Sequence, residues 1–308
     1  MYEYYFHQSF PKVTERAVFR GQFGDDISGG ATLTYRGPNG SDYFSSKWSP
    51  TRRTYEPRLD TSDQAYDALA KFIDVLNKSA DAKTDAFAKV MLGMFDVSGF
   101  LRTMVVVNLL GAWDNYYLNA QNYLLHIALS SDSPGSAAPY ITFCAYDLDS
   151  VLGVSWPGQK RNWQQKDILF RGTELGYIVL VKRLLENPLF RNYYCDFMAW
   201  FVENRFTLDW FATRRAALWK RLEQSVYLES ATPFGPPTSA RPWTNDEVYR
   251  HAVGDQTLDA SGGDTVAGLQ VLGIGDFVQQ RRAKALELLK QEQLGKSGVY
   301  FSTNQWSL

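Results

Sequence analysis

One stretch of this chain constrains its fold more than any other. An apolar helical run, Val97 to Leu110, stops at Gly111-Ala112 and delivers Asp114 into polar surroundings. A helix apolar on all sides must lie in a core, so whatever follows its exit is held against that core. Asn119 and Asn122 come next. An apolar segment, Tyr123 to Leu129, is then joined through the turn-rich Ser130 to Ala138 to a second run, Tyr140 to Tyr146, which predicts a β-hairpin. The second run ends in two carboxylates, Asp147 and Asp149, just before Leu152-Gly153.

The rest of the chain frames this stretch. Its first 60 residues hold short extended runs, Ala17 to Phe19, Ala31 to Tyr35 and Asp42 to Trp48, separated by Gly29-Gly30 and Pro38-Asn39-Gly40. They predict a small antiparallel sheet. From Ser62 the period becomes helical, with Ala65, Leu69, Phe72, Ile73 and Leu76 on one face and Ser62 or Asp63 as N-cap. Further helices are predicted over Asp85 to Gly93, Ile178 to Glu186, Leu189 to Glu203, Leu208 to Tyr227 and Gly275 to Glu292. A Pro-rich loop, 231–242, and a Gly-rich one, 262–268, interrupt them. The fold class expected is α+β, divided into a β-rich segment, 1–60, and a mostly helical part, 61–308.

Composition removes several functions. Lys plus Arg is 32 against 33 Asp plus Glu, a net charge of −1, so no global positive field would hold nucleic acid or an anionic membrane. No apolar stretch approaches the ~18 residues of a membrane span. The start, MYEYYFHQSFPKVTER, has neither a signal-peptide nor an anchor pattern. Two cysteines, Cys144 and Cys195, read as buried thiols or one disulfide, and three scattered histidines give little material for a metal centre or a triad. Aromatic residues reach 15%, enough for a large core with rings left over for a ligand or partner. Gly273-Ile274-Gly275 reads as a helix start, and Arg281-Arg282 with Lys284 and Lys290 as the solvated face of the last helix. Asn39-Gly40-Ser41 and Asn77-Lys78-Ser79 fit a glycosylation sequon. No serine occupies a nucleophile elbow.

Asp, then Asn, then a hairpin, then Asp is the order used in kinase-type phosphoryl transfer. The first carboxylate orients the attacking hydroxyl, while the amide and the later carboxylate hold the metal that bridges phosphates. Mg²⁺ suits such a set because it takes hard oxygens from one or two carboxylates plus phosphate and water. Singly, Asp114 reads as a turn or cap residue, Asp147 and Asp149 as a turn start, and the asparagines as loop residues. Only the ordered set carries the functional reading. A carboxylate-based glycosidase using Asp114 and Asp147, with rings as sugar platforms, is a distant alternative.

At these residues the chain resembles the CotH kinase family, the spore coat protein H-like atypical protein kinases. That family shows Gly-Asn-Trp-Asp, then Asn-Tyr-Tyr-Leu-Tyr, then Pro-Trp-Asp-Leu-Asp with Phe-Gly soon after. Here stand Gly111-Ala112-Trp113-Asp114, Asn122-Tyr123-Leu124-Leu125-His126, Ala145-Tyr146-Asp147-Leu148-Asp149 and Leu152-Gly153. Gly30 to Gly37, Tyr55-Glu56-Pro57-Arg58, Leu185 to Arg191 and Phe277 to Arg282 extend the resemblance, with Arg58 where the family has lysine. The resemblance implies a protein-kinase-like fold with a mostly helical C-lobe and a small β-rich N-terminal part. By it, Asp114 matches the catalytic aspartate, Asn122 the metal-loop asparagine and Asp147 the metal-binding aspartate. Asp149 is a possible second ligand, and Asn119 has the spacing of ordinary protein kinases. ATP and Mg²⁺ are the implied cofactors, a Ser/Thr protein the implied substrate, and the cell envelope, spore coat or a secreted state the implied location. The family's nucleotide-binding lysine lies on strands upstream of the matched region, and Lys12 and Lys47 lack its context. An incomplete N-lobe is therefore expected, and with it a second reading as an inactive kinase-like binding or adhesion module.

Overall fold

Hydrogen bonds that close one small sheet tie the start of the chain to its middle. A computed structural model describes residues 15–24, 29–45, 53–59, 62–130, 139–154, 162–171, 178–228, 244–259 and 270–298. Strands β1 (Arg16–Gly21), β2 (Tyr55–Leu59), β3 (Tyr123–Ala128) and β4 (Tyr140–Ala145) form an antiparallel sheet in the order β2-β1-β3-β4. Phe19 faces Leu125, and Tyr123 faces Ala145. Alternation along the strands sends Ala17, Phe19, Tyr123 and Leu125 into the main core. Val18 and Leu124 lie on the opposite face, with Leu59, Cys144 and Tyr146. The predicted hairpin is thus β3-β4, and it completes the sheet begun by β1 and β2, so ladder bonds cross position 60.

Helices α1 (Asp63–Lys78), α2 (Asp85–Met94) and α3 (Val97–Leu110) each start at a side-chain cap. Ser62, Thr84 and Asp96 accept from the backbone N–H of Ala65, Phe87 and Gly99, each cap contributing about 1 kcal/mol. A short α4 (Tyr116–Asn119) precedes β3. After the hairpin come α5 (Val179–Glu186), α6 (Pro188–Asn204), α7 (Leu208–Leu228), α8 (Asn245–Ala252), the strand pair β5 (Leu258–Asp259) with β6 (Gln270–Val271), and α9 (Ile274–Gln291). α3 packs between β4 and α6, with Phe100 edge-on to Phe143 at 5.0 Å. The expected α+β class holds: mostly helix beside a small antiparallel sheet. Among the described residues no helix is long and apolar enough to cross a membrane.

Three expectations are corrected. Ala31 to Tyr35 is not a strand, because side chains partner its backbone where a ladder would. Asn77 donates to Leu33 O and accepts from Tyr35 N, and Tyr55 Oη accepts from Leu33 N. With its Nδ2 also given to Ile73 O at 2.7 Å, Asn77 is engaged where the sequon needs a free amide. Within Asp42 to Trp48, Gly40–Tyr43 is a 3₁₀ turn under an Asn39–Asp42 capping box, while 46–50 lies outside the described residues. Arg281 is not on a solvated face but fully buried. It donates to Lys166 O and to Asn108 Oδ1, and burial pulls its pKa down to about 10. Both cysteines are free thiols. Lys12, Lys47, Trp156, His7 and the loops 231–242 and 262–268 lie outside the described residues.

Candidate functional site

The site begins where α3 stops. Gly111 takes the left-handed conformation at φ 65°, ending the helix, and a Cβ there would lie 3.0 Å from Trp163 Cβ and 3.1 Å from Phe277 Cζ. The turn sends Trp113 onto Trp163, the rings stacked 6.0 Å apart at 9°, and its Nε1 donates to Val154 O at 2.8 Å. Asn115 caps α4 by accepting from Tyr117 N. Asp114 is thereby fixed between a stacked indole and a cap.

Three amides then converge on Asp114. Asn119 Nδ2 donates to Oδ1 at 2.7 Å, Gln121 Nε2 to the same oxygen at 2.6 Å, and Asn122 Nδ2 to Oδ2 at 3.1 Å. Asn122 Nδ2 also reaches the Asp114 carbonyl at 2.9 Å. This arrangement differentiates the two asparagines. With its NH₂ committed twice to Asp114, the buried Asn122 has Oδ1 left as an oxygen donor. Asn119 is bound to the carboxylate alone. Ala120 at φ 51° and Asn122 at φ 55° are left-handed, and this turn lets residues so close in sequence face one carboxylate.

The hairpin brings the second carboxylate pair alongside. Tyr146 N donates to Asn122 O at 3.1 Å, so the chain leaves β4 opposite Asn122 and enters Asp147 directly. Asp147 is itself left-handed, at φ 56°, and both Asp147 and Asp149 are exposed. Leu152 N closes back onto Leu110 O at 2.7 Å, and Leu152 packs with Trp113, Trp163 and Phe277. The exit of α3 and the segment after β4 are thus tied together on both sides of the carboxylates. Among the described residues no three His, Cys, Asp or Glu cluster as a metal centre. By residue type, the Asp147 and Asp149 carboxylates and the Asn122 amide oxygen are hard oxygen donors of the kind Mg²⁺ takes together with phosphate and water.

The structure places Asp114, Asn119 and Asn122 in one hydrogen-bonded group and adds Gln121, whose only signal in the sequence is its place in the polar run between Ala120 and Asn122. Rings expected to be spare are mostly structural. Trp113, Tyr116, Tyr117 and Tyr123 are all at least nine-tenths buried, so these four rings present no face to a sugar. Tyr116 Oη donates to Thr32 O and accepts from Leu180 N, and Tyr123 Oη donates to Ala31 O at 2.6 Å. Burial raises both phenol pKa values well above the ordinary range, so both remain donors. His126, fully inside the sheet, is pushed down to about 4 by burial.

Comparison with known proteins adds two findings. A family model described as CotH kinase protein matches residues 30–241, more than half of the chain, and the match includes Asp114, Asn119, Asn122, Asp147 and Asp149. Over 188 residues the chain is 24% identical to Invasin CotH7 of Rhizopus delemar, covering 60% of this chain and 30% of that protein. The chain therefore spans about a third of the length of the curated relative it matches.

Proposed function

The chain belongs to the CotH kinase protein family, and from that premise we propose that it transfers the γ-phosphate of ATP to a Ser or Thr hydroxyl of a protein. The observation that carries this reading is the convergence of three amides on Asp114 beside a free Asn122 Oδ1. Asp114 accepts the hydrogen bond of the incoming hydroxyl at the oxygen edge its amides leave open, and takes the proton as the hydroxyl oxygen bonds to the γ-phosphorus and the bond from that phosphorus to the β,γ-bridging oxygen breaks, releasing ADP. Asn119, Gln121 and Asn122 hold the carboxylate so that the hydroxyl meets it in one orientation, which lowers the entropic part of the barrier. Asn122 Oδ1 and the Asp147 carboxylate would hold Mg²⁺, with Asp149 as a further oxygen donor. Mg²⁺, when bound, neutralises charge on the phosphates. Keeping the metal-holding carboxylate distinct from the proton acceptor leaves the open edge of Asp114 to the hydroxyl.

The test is incorporation of γ-labelled phosphate into an added protein mixture and into the chain itself. Mg²⁺-dependent incorporation is expected for the native chain, and its loss in Asp114→Asn and in Asp147→Ala. Equal incorporation in all three would refute the assignment. A second reading, a kinase-like binding module, takes its support from the name Invasin borne by the Rhizopus delemar relative. Partner binding that persists in Asp147→Ala, in a chain without measurable Mg·ATP affinity, would favour it.

A further inference from the structure

The transfer just described requires a positive charge for the polyphosphate beside Asp147. Resting on that reading, we propose that Arg20 is the phosphate-binding cation of the site. Arg20 lies on β1, its Cα partners being Leu124 on β3 and Glu56 on β2. By alternation it shares the sheet face of Leu124, Cys144 and Tyr146 and not that of Phe19. Its guanidinium carbon is 4.8 Å from the centre of the Tyr146 ring. Tyr146 is the residue whose amide bonds Asn122 O and whose chain neighbour is Asp147. The charge therefore rests at the open end of the hairpin beside Tyr146, which stands one residue before Asp147 and is bonded through its backbone to Asn122.

What separates Arg20 from the neighbouring Arg58 is its charge pairing, not its buried Nε, which the two have in common. Arg58, the cation on β2, is paired with Glu56 at 2.9 Å. Glu56 also accepts the amide of Gln22. Among the described residues Arg20 has no carboxylate partner, and its Nε is buried with no hydrogen-bond partner. A donor in that state is costly to keep unless a ligand or water relieves it. Contact with the Tyr146 ring orients the planar fork, and a guanidinium so held keeps edge donors for a pair of phosphate oxygens. Arg20 precedes residues 30–241, so the family match assigns it nothing.

Calorimetric titration of Mg·ATP into the whole chain and into Arg20→Gln and Arg20→Lys tests this, with melting curves to verify folding. Arg20→Gln is expected to weaken Mg·ATP on the order of 10- to 100-fold, with Arg20→Lys recovering part of the loss. Adenosine, which lacks phosphate, is expected to bind the native chain and Arg20→Gln alike. Phenylglyoxal labelling of Arg20 in the unsubstituted chain, read by mass spectrometry, gives the answer without any variant: Mg·ATP is expected to protect it. If the native chain binds Mg·ATP while Arg20→Gln binds within about twofold of it, or labelling is unchanged, Arg20 is not the cation and the transfer reading survives. If the native chain does not bind Mg·ATP, both fall together.

Discussion

Asp114 and Asp147 are both carboxylates delivered at the end of a regular element, yet their surroundings are opposite. Asp114 accepts three amide donors and follows directly on Trp113, which is stacked on Trp163 and clustered with Phe277 of α9. Asp147 is exposed, and what is fixed about it is its backbone, through the Tyr146–Asn122 bond before it and the Leu152–Leu110 bond after it. The difference matches the two tasks. A proton acceptor must meet a hydroxyl in one orientation, so its side chain is held in advance. A ligand for a hydrated cation can complete its geometry when the cation and phosphate arrive, so placing its backbone is sufficient.

Substitutions can break this contrast in order of expected size. Asp114→Asn removes the acceptor and is expected to lower phosphate transfer on the order of 10²- to 10⁴-fold, with Mg·ATP affinity nearly intact in a direct titration. Arg281→Met strips the bonds to Asn108 Oδ1 and Lys166 O from behind the Asp114 turn. Its expected cost is about 2–3 kcal/mol in denaturant unfolding, because buried acceptors lose their donor. Asp147→Gly should separate stability from function. Glycine accepts φ 56° freely but gives up chain entropy, so unfolding free energy is expected to move by less than about 0.5 kcal/mol while Mg·ATP affinity falls on the order of 100-fold. Gln121→Leu is the finest test. It is expected to reduce kcat by roughly tenfold with KM for ATP unchanged, because one of the amides orienting Asp114 is gone. A change in KM instead would move Gln121 from orienting the acceptor to binding nucleotide.

What could be read from sequence follows the distance between partners. α3 was legible to its last residue because its apolar run and its glycine stop are local signals. Asp114, Asn119 and Asn122 stood out as an ordered local set, whereas the hydrogen bonds that join the two amides to the carboxylate depend on the left-handed turn at Ala120 and Asn122, for which the sequence has no glycine signal. Gln121 escaped because glutamine in a polar run has no distinguishing pattern. The buried Arg281 escaped because its partner Asn108 lies 173 residues away, and a basic run looks the same whether solvated or caged. Asn108 itself had left a trace, as the polar break in an apolar helix. The irregular segment around Leu33 looked like a strand because its composition is that of one, while the side chains that replace a ladder, Asn77 and Tyr55, come from elsewhere in the chain.

The division of labour between the two carboxylates is tested most directly by titrating Mg·ATP into the native chain, Asp114→Asn and Asp147→Ala by calorimetry. The native chain and Asp114→Asn are expected to bind with similar affinity, and Asp147→Ala to lose binding. Loss of affinity in Asp114→Asn as large as in Asp147→Ala, or native-like binding by Asp147→Ala, would contradict the account.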